Sequence, residues 1–507
     1  MTMLISTMAA SLAAAAVQAP AATCPTRPDP AAASALLDSI AERRVHDGVA
    51  WMSGPDGIWL SEARGIAVPG HDIAYVPEQR VRTASISKML TAIMVHQLVE
   101  EGAIGYGDTL AELLPGVDLA YAEAVQLHHL LSHSSGIPNM QYSDEADAYE
   151  AELLLVEGAP TPPDMDRWIA IIGDEDLSFA PGTDQSYSNS NYMLLEQVVM
   201  THDGGDFERS LQRRLYAPLG LEDSGKAHFI SYVPGLAMGR TRTLDGWYED
   251  LQRRRLSSGG VGSLYASGKD MLTLFNALWA GDLFRHPATL ERMKPQPGKM
   301  FGMGLNRVPL MVAGTEVDAI GHDGWSPPHS AMVARLPGCG VSLFVSDSSA
   351  AHYGAARRGD GHGEIFAIAE GLVALGLGET PKTPQHLLFE RFADRVTAKG
   401  YAAALAGVEE DLDTLDVEAP PRDLAQIGAE LLERGKDEEA RSLYAMAVPR
   451  YPDDINLNFG RAAALLDGGD TAGAVAAYDR VLELLPADHQ ARGTVEAARA
   501  EALAGSE

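Results

Sequence analysis

Cysteine is almost missing from this chain, with two among 507 residues. Two thiols cannot form a disulfide scaffold, and a chain this long buries enough apolar surface to fold without one. Cations are scarce as well. The 39 Lys+Arg face 70 Asp+Glu, a formal net charge of −31, which argues against a nucleic-acid partner because Lys and Arg must neutralise phosphates. Lysine is the rarer of the two, with 8 residues. Several chemical signatures are absent too. No His-Glu-x-x-His occurs, and His128, His129 and His133 have no Cys or carboxylate at ligand spacing, so neither a metal nor a cofactor is expected. No Gly-x-Ser-x-Gly elbow is present, which disfavours an α/β-hydrolase triad, and there is no phosphate-binding loop. What remains is ordinary for a soluble folded protein, 46% apolar and 21% charged, with a length that accommodates about two to four domains.

The two ends of the chain differ in kind. The opening MTMLISTMAASLAAAAVQAPAATC carries no charged side chain. Its apolar run of about fifteen residues is too short to cross a bilayer and has the size of a signal-peptide core. Ala19 and Ala21 supply small residues at the −3 and −1 positions of a cleavage site after Ala21. Residues 1–21 are therefore expected to be a signal peptide, although a basic start is missing, and the mature protein to be periplasmic or secreted with no transmembrane segment. The alternative is a disordered Ala-rich tail. Lipid attachment through Cys24 fits less well, because Thr23 stands where Gly or Ala is usual.

At the other end, Gly435, Ala440, Tyr444 and Pro452 recur as Gly469, Ala474, Tyr478 and Pro486, each 34 residues on. Small residues where two helices touch, an aromatic one turn later and a closing Pro resemble tetratricopeptide repeats. The spacing predicts helices over 424–434, 436–450, 455–467 and 471–485, then a capping helix from Asp488, in a repeat unit spanning 419–505. Residues 379–418 read as a helical linker with an amphipathic helix pair over 384–413; since two repeats bury little alone, this pair or the flank of the main domain is expected to complete the stack. Two uses stay open: a groove for a protein partner, and a brace on the rest of the molecule. Residues 420–507 hold 9 basic against 16 acidic residues, so the acidity is spread over both parts and is a solubility property.

Residues 22–378 form the larger unit. Asp29-Pro30 signals a helix start, with Leu36, Leu37, Ile40 and Ala41 following at helical spacing. The run GVAWMSGPDGIWLSEARGIAV alternates about Pro55-Asp56-Gly57 and reads as a β-hairpin. Far downstream, CGVSLFVSD (339–347) reads as a buried strand and GEIFAIAEGLVALGL as a helix. The pattern predicts an α/β (α+β) unit whose sheet is assembled from both chain ends and covered by helices.

Three motifs inside this frame carry chemistry. In RTASISKMLTAIMVHQLVEEG, the residues Met89, Leu90, Ile93, Met94 and Leu98 line a helical stripe and Gly102 stops it. Ser85 and Lys88 lie three apart at its head and share one face. A Ser hydroxyl is a poor nucleophile until a neighbour takes its proton, and a desolvated Lys one turn away does that. The second motif, FAPGTDQSYSNSNYMLLEQVV (179–199), holds Tyr187, able to move protons to and from an oxygen, and Asn189, whose amide both donates and accepts. The third is His322-Asp323-Gly324 in AIGHDGWSPPHSAMVARLP. Gly324 lets a substrate lie along a strand edge, and the N–H of Trp325 pairs with that of Ser85 as an oxyanion hole.

In this order and at these separations the motifs resemble the serine β-lactamase and penicillin-binding-protein family, in its class C, D-aminopeptidase and esterase branch. LLSHSSGIP (130–138), SSGGVGSLYASGKDMLTLFNAL (257–278) and FGMGL (301–305) agree with it, and the resemblance spans roughly 30–375. It implies a β-lactamase/transpeptidase-like fold, an antiparallel sheet flanked by helices, followed here by the all-α repeat unit. It further implies Ser85 as the acylated nucleophile, Lys88 as its activator and Tyr187 as general acid/base. Asn189, His322, Gly324 and Trp325 become substrate-binding residues, with His322 where many relatives have Lys, and His133 becomes scaffold.

The departures narrow the substrate. No Ser-Asp-Asn accompanies Ser85, which disfavours the branch that deacylates through a separate Glu. Lys382-Thr383-Pro384 mimics a Lys-Thr-Gly triad, but Pro lacks the N–H, so it is a decoy. Asp323 stands where penicillin-recognising relatives have Thr or Ser, and facing the site it would repel a substrate carboxylate. Pro327-Pro328 replace a Gly-containing stretch. The expected protein is an exported serine hydrolase acting on a small-molecule or peptide ester or amide, an esterase or D-amino amidase sooner than a β-lactamase or D-Ala-D-Ala carboxypeptidase. The alternative is a catalytically silent, penicillin-binding-like sensor on a repeat scaffold.

Overall fold

The computed structural model describes residues 24–43, 46–140, 165–173, 175–227, 232–249, 258–351, 363–382, 385–417, 419–486 and 491–504. The leader expected over 1–21, the residues Thr383-Pro384 and the predicted helix start at Asp488 lie outside them. The N-terminal helix α1 (Pro30–Arg43) begins where Asp29 Oδ1 accepts the Ala32 N–H at 2.9 Å. The hairpin predicted around Pro55 is β1 (Gly48–Gly54) and β2 (Gly57–Arg64). The remaining strands of its sheet come from far downstream: β3 (Asn306–Val312), β4 (Thr315–Ser326), β5 (His329–Leu336) and β6 (Val341–Asp347). The spatial order is β3-β4-β5-β6-β1-β2, antiparallel throughout, with Gly48 opposite Asp347 where the chain ends meet.

Both faces of this sheet are covered. All seven residues of β6 are buried, and its polar members are hydrogen-bonded: Ser342 Oγ donates to Asn276 Oδ1, Ser346 Oγ accepts the Val49 N–H and Asp347 Oδ1 accepts the Ser349 N–H. In β5 the alternation sorts the side chains: Ala331 and Val333 enter a core with α2 (Ser87–Glu100), α3 (Asn189–His202) and α4 (Gly268–Ala280). Met332 and Ala334 enter the opposite core with α1 and α5 (Gly363–Leu377). Helix α2 departs from its predicted pattern. A single apolar stripe was expected, yet Ser87–His96 and Leu98 are all buried, because α2 lies between the sheet and the helical layer. Gly102, at φ +75°, ends it as predicted.

The two cysteines form a single staple, Cys24–Cys339, across 315 residues of sequence. It ties the segment before α1 to the β5–β6 turn, so the Cys24 sulfur is engaged in a disulfide and the lipid-attachment alternative does not describe this state. Nearby, the Thr26 N–H donates to the Gly376 carbonyl at 2.8 Å.

The C-terminal region is helical. Where a helix pair was expected over 384–413 there are three helices, α6 (Leu388–Lys399), α7 (Tyr401–Ala406) and α8 (Val408–Thr414). The chain breaks at Gly400, whose φ of +83° suits glycine. Then come α9 (Pro420–Glu433), α10 (Asp437–Arg450), α11 (Ile455–Asp467), α12 (Thr471–Leu484) and α13 (Arg492–Ala504). Tyr444 lies so close to α9 and α11 that a Cβ at Gly428 or Gly460 would come within 2.3 and 2.2 Å of its ring end. Helices α6 to α11 share one core, which also takes Leu244 from the hairpin Arg240–Glu249. Arg242 of that hairpin pairs with Asp394 at 2.7 Å, Asp245 with Arg434 at 3.1 Å, and the Leu244 N–H donates to Glu430 at 3.1 Å. Among the described residues no helix is long and apolar enough to cross a membrane.

Candidate active site

The site begins one turn before α2. Ala84–Ile86 form a tight 3-10 turn in which Ala84 holds φ +45°, a conformation that costs energy for a residue with a Cβ and is found where structure imposes it. The turn leaves Ser85 at the helix entrance, and α2 places Lys88 one turn on. Lys88 Nζ lies 3.0 Å from Ser85 Oγ and donates to the Val261 carbonyl at 2.8 Å. Tyr187, immediately ahead of α3, donates its hydroxyl to Ser85 Oγ at 2.9 Å. Three groups named from sequence thus meet at one oxygen.

Burial sets the electrostatics. Lys88 is fully buried, with Nζ 5.1 Å from the centre of the Tyr187 ring and 6.0 Å from that of Tyr192. The cost of burying an ammonium holds its pKa well below the usual lysine value, while the charge of Asp323 works the other way. His133 is buried beneath Tyr187, ring centres 4.6 Å apart, and also meets Tyr192 and Phe301. Burial, then the neighbouring Lys88, holds His133 well below the ordinary histidine value. Its Nδ1 accepts the Ser188 N–H at 3.2 Å, which fixes the backbone next to Tyr187. Asn189 is buried as the first residue of α3 and donates its N–H to Asn139 Oδ1 at 3.2 Å.

Strand β4 closes the other side. Its pairing with β3 stops at Gly321, opposite Asn306, which leaves His322–Ser326 as an edge on that side. A Cβ on Gly324 would stand 2.5 Å from the Ser85 nitrogen and 2.7 Å from the Thr83 carbonyl oxygen, so the strand reaches the nucleophile turn only because this residue is Gly. Trp325 is the next residue along the same edge. His322 is buried with Nδ1 2.5 Å from the Asp323 carbonyl oxygen. Burial lowers its pKa to about 4, with Asp323 opposing and Lys88 adding to the depression. Register refines the expectation for Asp323. His322 and Gly324 face Val333 and Ala331, on the α2 side, whereas Asp323 faces Met332, on the α5 side. Asp323 is therefore out of phase with the residues aimed at Ser85 and acts on the site through its charge, not by lying across it. Lys382 lies on the α5 side, where its charge reaches Glu370, away from Ser85.

Residues that the motifs did not single out complete the arrangement: the Val261 carbonyl beneath Lys88, and Thr91, which donates to the Gly260 carbonyl at 3.1 Å. Thr91 lies in the Ser85–Lys88 motif and Val261 in the run 257–278, neither with a role assigned to it from sequence. Among the described residues no cluster of three or more His, Cys, Asp or Glu is placed to hold a metal.

The profile of the Beta-lactamase family matches residues 33–346, and the chain belongs to that family. The D-alanyl-D-alanine-carboxypeptidase/endopeptidase AmpH of Escherichia coli (strain K12) is 22% identical over 344 residues, 62% of this chain and 84% of its own. Esterase EstB of Burkholderia gladioli is 28% identical over 216 residues, 41% of this chain and 54% of its own. The chain spans about half the length of several curated relatives that it matches. Among solved structures, D-amino acid amidase from Ochrobactrum anthropi SV3 in complex with D-phenylalanine superposes with a TM-score of 0.57 at 20% identity, covering 68% of this chain and 98% of that one. The fold is the expected β-lactamase/transpeptidase-like one.

Proposed function

We propose that this protein is a serine hydrolase that cleaves an ester or amide bond through an acyl-enzyme on Ser85. The observation that carries the reading is the convergence of Lys88 Nζ and Tyr187 Oη on Ser85 Oγ, at 3.0 and 2.9 Å. Burial disfavours the charged form of Lys88, and in its neutral form the amine has a lone pair with which to take the serine proton. As Oγ bonds to the substrate carbonyl carbon, the N–H groups of Ser85 and Trp325 receive the developing oxyanion. Tyr187 passes the proton to the leaving alcohol or amine as its bond to carbon breaks. Water then attacks the acyl-enzyme, returning its proton along the same path.

For the substrate, the neutral His322 offers no fixed cation to a carboxylate, and the Asp323 charge disfavours one. The likeness to EstB points the same way, so an ester or a D-amino acid amide is the preferred substrate class. The likeness to AmpH supports a second reading, D-Ala-D-Ala carboxypeptidase. The Cys24–Cys339 disulfide supports export to the periplasm or beyond, where such bonds persist. The C-terminal helices are read as tetratricopeptide-like, and their packing on the Arg240–Glu249 hairpin favours a brace. The test is turnover of chromogenic esters, D-amino acid amides and a D-Ala-D-Ala peptide by the purified chain and by Ser85→Ala. Ser85→Ala should keep its circular dichroism and lose turnover. Full activity in that variant contradicts the mechanism, and a preference for the D-Ala-D-Ala peptide selects the second reading.

A further inference from the structure

Helix α3 carries Asn189, Tyr192 and Glu196 at i, i+3 and i+7, which places them on one face. At the far end of that stripe the Glu196 carboxylate is 4% exposed, and three of its hydrogen bonds go to a single turn. Ser258 Oγ and the Gly260 N–H donate to Oε2, the latter at 3.1 Å, and the Gly259 N–H donates to Oε1 at 3.2 Å. Lys226 Nζ lies 3.9 Å from Oε1. The turn fits tightly, since a Cβ on Gly260 would come 2.8 Å from Glu196 Cβ and 3.0 Å from the Tyr192 carbonyl oxygen.

The next groups of this turn point the other way, into α2. The Gly260 carbonyl accepts from Thr91 and the Val261 carbonyl accepts from Lys88 Nζ. One buried carboxylate thus grips the N–H side of a turn whose carbonyl side holds the amine beside Ser85. A neutral amine has two N–H bonds and one lone pair, so an acceptor that takes one N–H constrains where the lone pair points. Two influences govern the charge on Lys88, burial and Asp323, so Glu196 acts through the backbone it anchors.

We propose that Glu196 is a positioning residue for Lys88: by anchoring residues 258–260 it places the Val261 carbonyl that aims the Lys88 lone pair at Ser85. This rests on the hydrolase reading above. It makes a prediction about pH as well as rate. A loosened turn admits water to the amine and relieves the burial that depresses its pKa, so neutral Lys88 then requires a higher pH.

The experiment measures the rate of Ser85 labelling by a fluorophosphonate across pH 5 to 9, by mass spectrometry, in wild type, Glu196→Gln and Lys226→Met. Glu196→Gln keeps the volume but turns an amide donor toward backbone donors. It should label about ten- to a hundredfold more slowly, the size of effect that small misplacements of reacting groups produce, with the low-pH limb moved to higher pH. Lys226→Met, which removes only a long ion pair, should leave rate and limb unchanged. Wild-type rate and limb in Glu196→Gln would overturn the proposal. So would a slower rate with an unmoved limb and a lowered melting temperature, the mark of a merely structural residue. Should Glu196→Gln fail to fold, Ser258→Ala, which removes one bond of the three, must move the limb in the same direction by less; an unmoved limb overturns the proposal. A wild-type chain that never labels at Ser85 overturns the hydrolase reading itself, whereas normal wild-type labelling with an indifferent Glu196→Gln overturns this inference alone.

Discussion

At the scale of single residues, the Ser85 oxygen meets two groups, for which we propose different tasks. Lys88 is fully buried while Tyr187 stands at the entrance of α3. The amine is suited to taking the proton and the phenol to handing it on. Tyr187→Phe keeps the ring that packs against His133 but removes the hydroxyl that reaches Ser85. It should lower kcat by about 10²- to 10⁴-fold, the usual worth of a positioned acid/base, with little change in melting temperature. A kcat within a few-fold of wild type would remove Tyr187 from the mechanism. These residue types were legible in the sequence because Ser-x-x-Lys, Tyr-x-Asn and His-x-Gly are short, local patterns. The Val261 carbonyl was not, since any residue supplies a carbonyl and only the path of the chain decides which one meets Lys88.

Among the elements, the β4 edge has the least tolerance. Gly324 lets His322–Ser326 run against the turn that carries Ser85. Gly324→Ala should push the strand from the Ser85 N–H, lowering kcat through a spoiled oxyanion hole by about a hundredfold or more while the fold persists. Kinetics together with circular dichroism checks this, and an unaffected kcat would place the oxyanion donors elsewhere. The strands β1, β2 and β6 were readable because their apolar runs and turn residues are strong local signals. The orientation of Asp323 was not readable. It depends on register with β5, a long-range property that assigns it to the Met332 face. The all-round burial of α2 escaped the periodicity argument for a related reason: a helix packed on every side needs no polar face, and small Ser, Thr and Ala residues fill its contacts.

For the whole molecule, the C-terminal helices are fastened to the hydrolase-like part by an ionic seam. Arg242 is held 3.6 Å from Glu390 and 2.7 Å from Asp394. Burial pushes the Glu390 carboxyl up to about 8, and Arg242 only partly offsets it because Asp394 takes the closer contact. The folded state therefore binds a proton at Glu390 between about pH 4.5 and 8 that the unfolded chain releases. Its contribution to stability is full below that window and lost as the pH rises through it. Glu390→Gln is neutral throughout, so its melting temperature should gain on wild type from pH 5 to 8. A constant difference would show that Glu390 is ionised in the fold. The 34-residue offset announced the helices of this region, but nothing local announced their attachment to Arg240–Glu249. Nor did the count of two cysteines reveal that residues 315 apart are bonded.

The central claim, that Ser85 is a nucleophile served by a neutral Lys88, meets its most direct test in one measurement. The purified chain is exposed to a fluorophosphonate at a series of pH values and its peptides are weighed. A single adduct on the Ser85 peptide is expected near neutral pH, fading as acid protonates Lys88, with no adduct in Ser85→Ala. An unlabelled Ser85 at every pH, or equal labelling of Ser85→Ala at another residue, would contradict it.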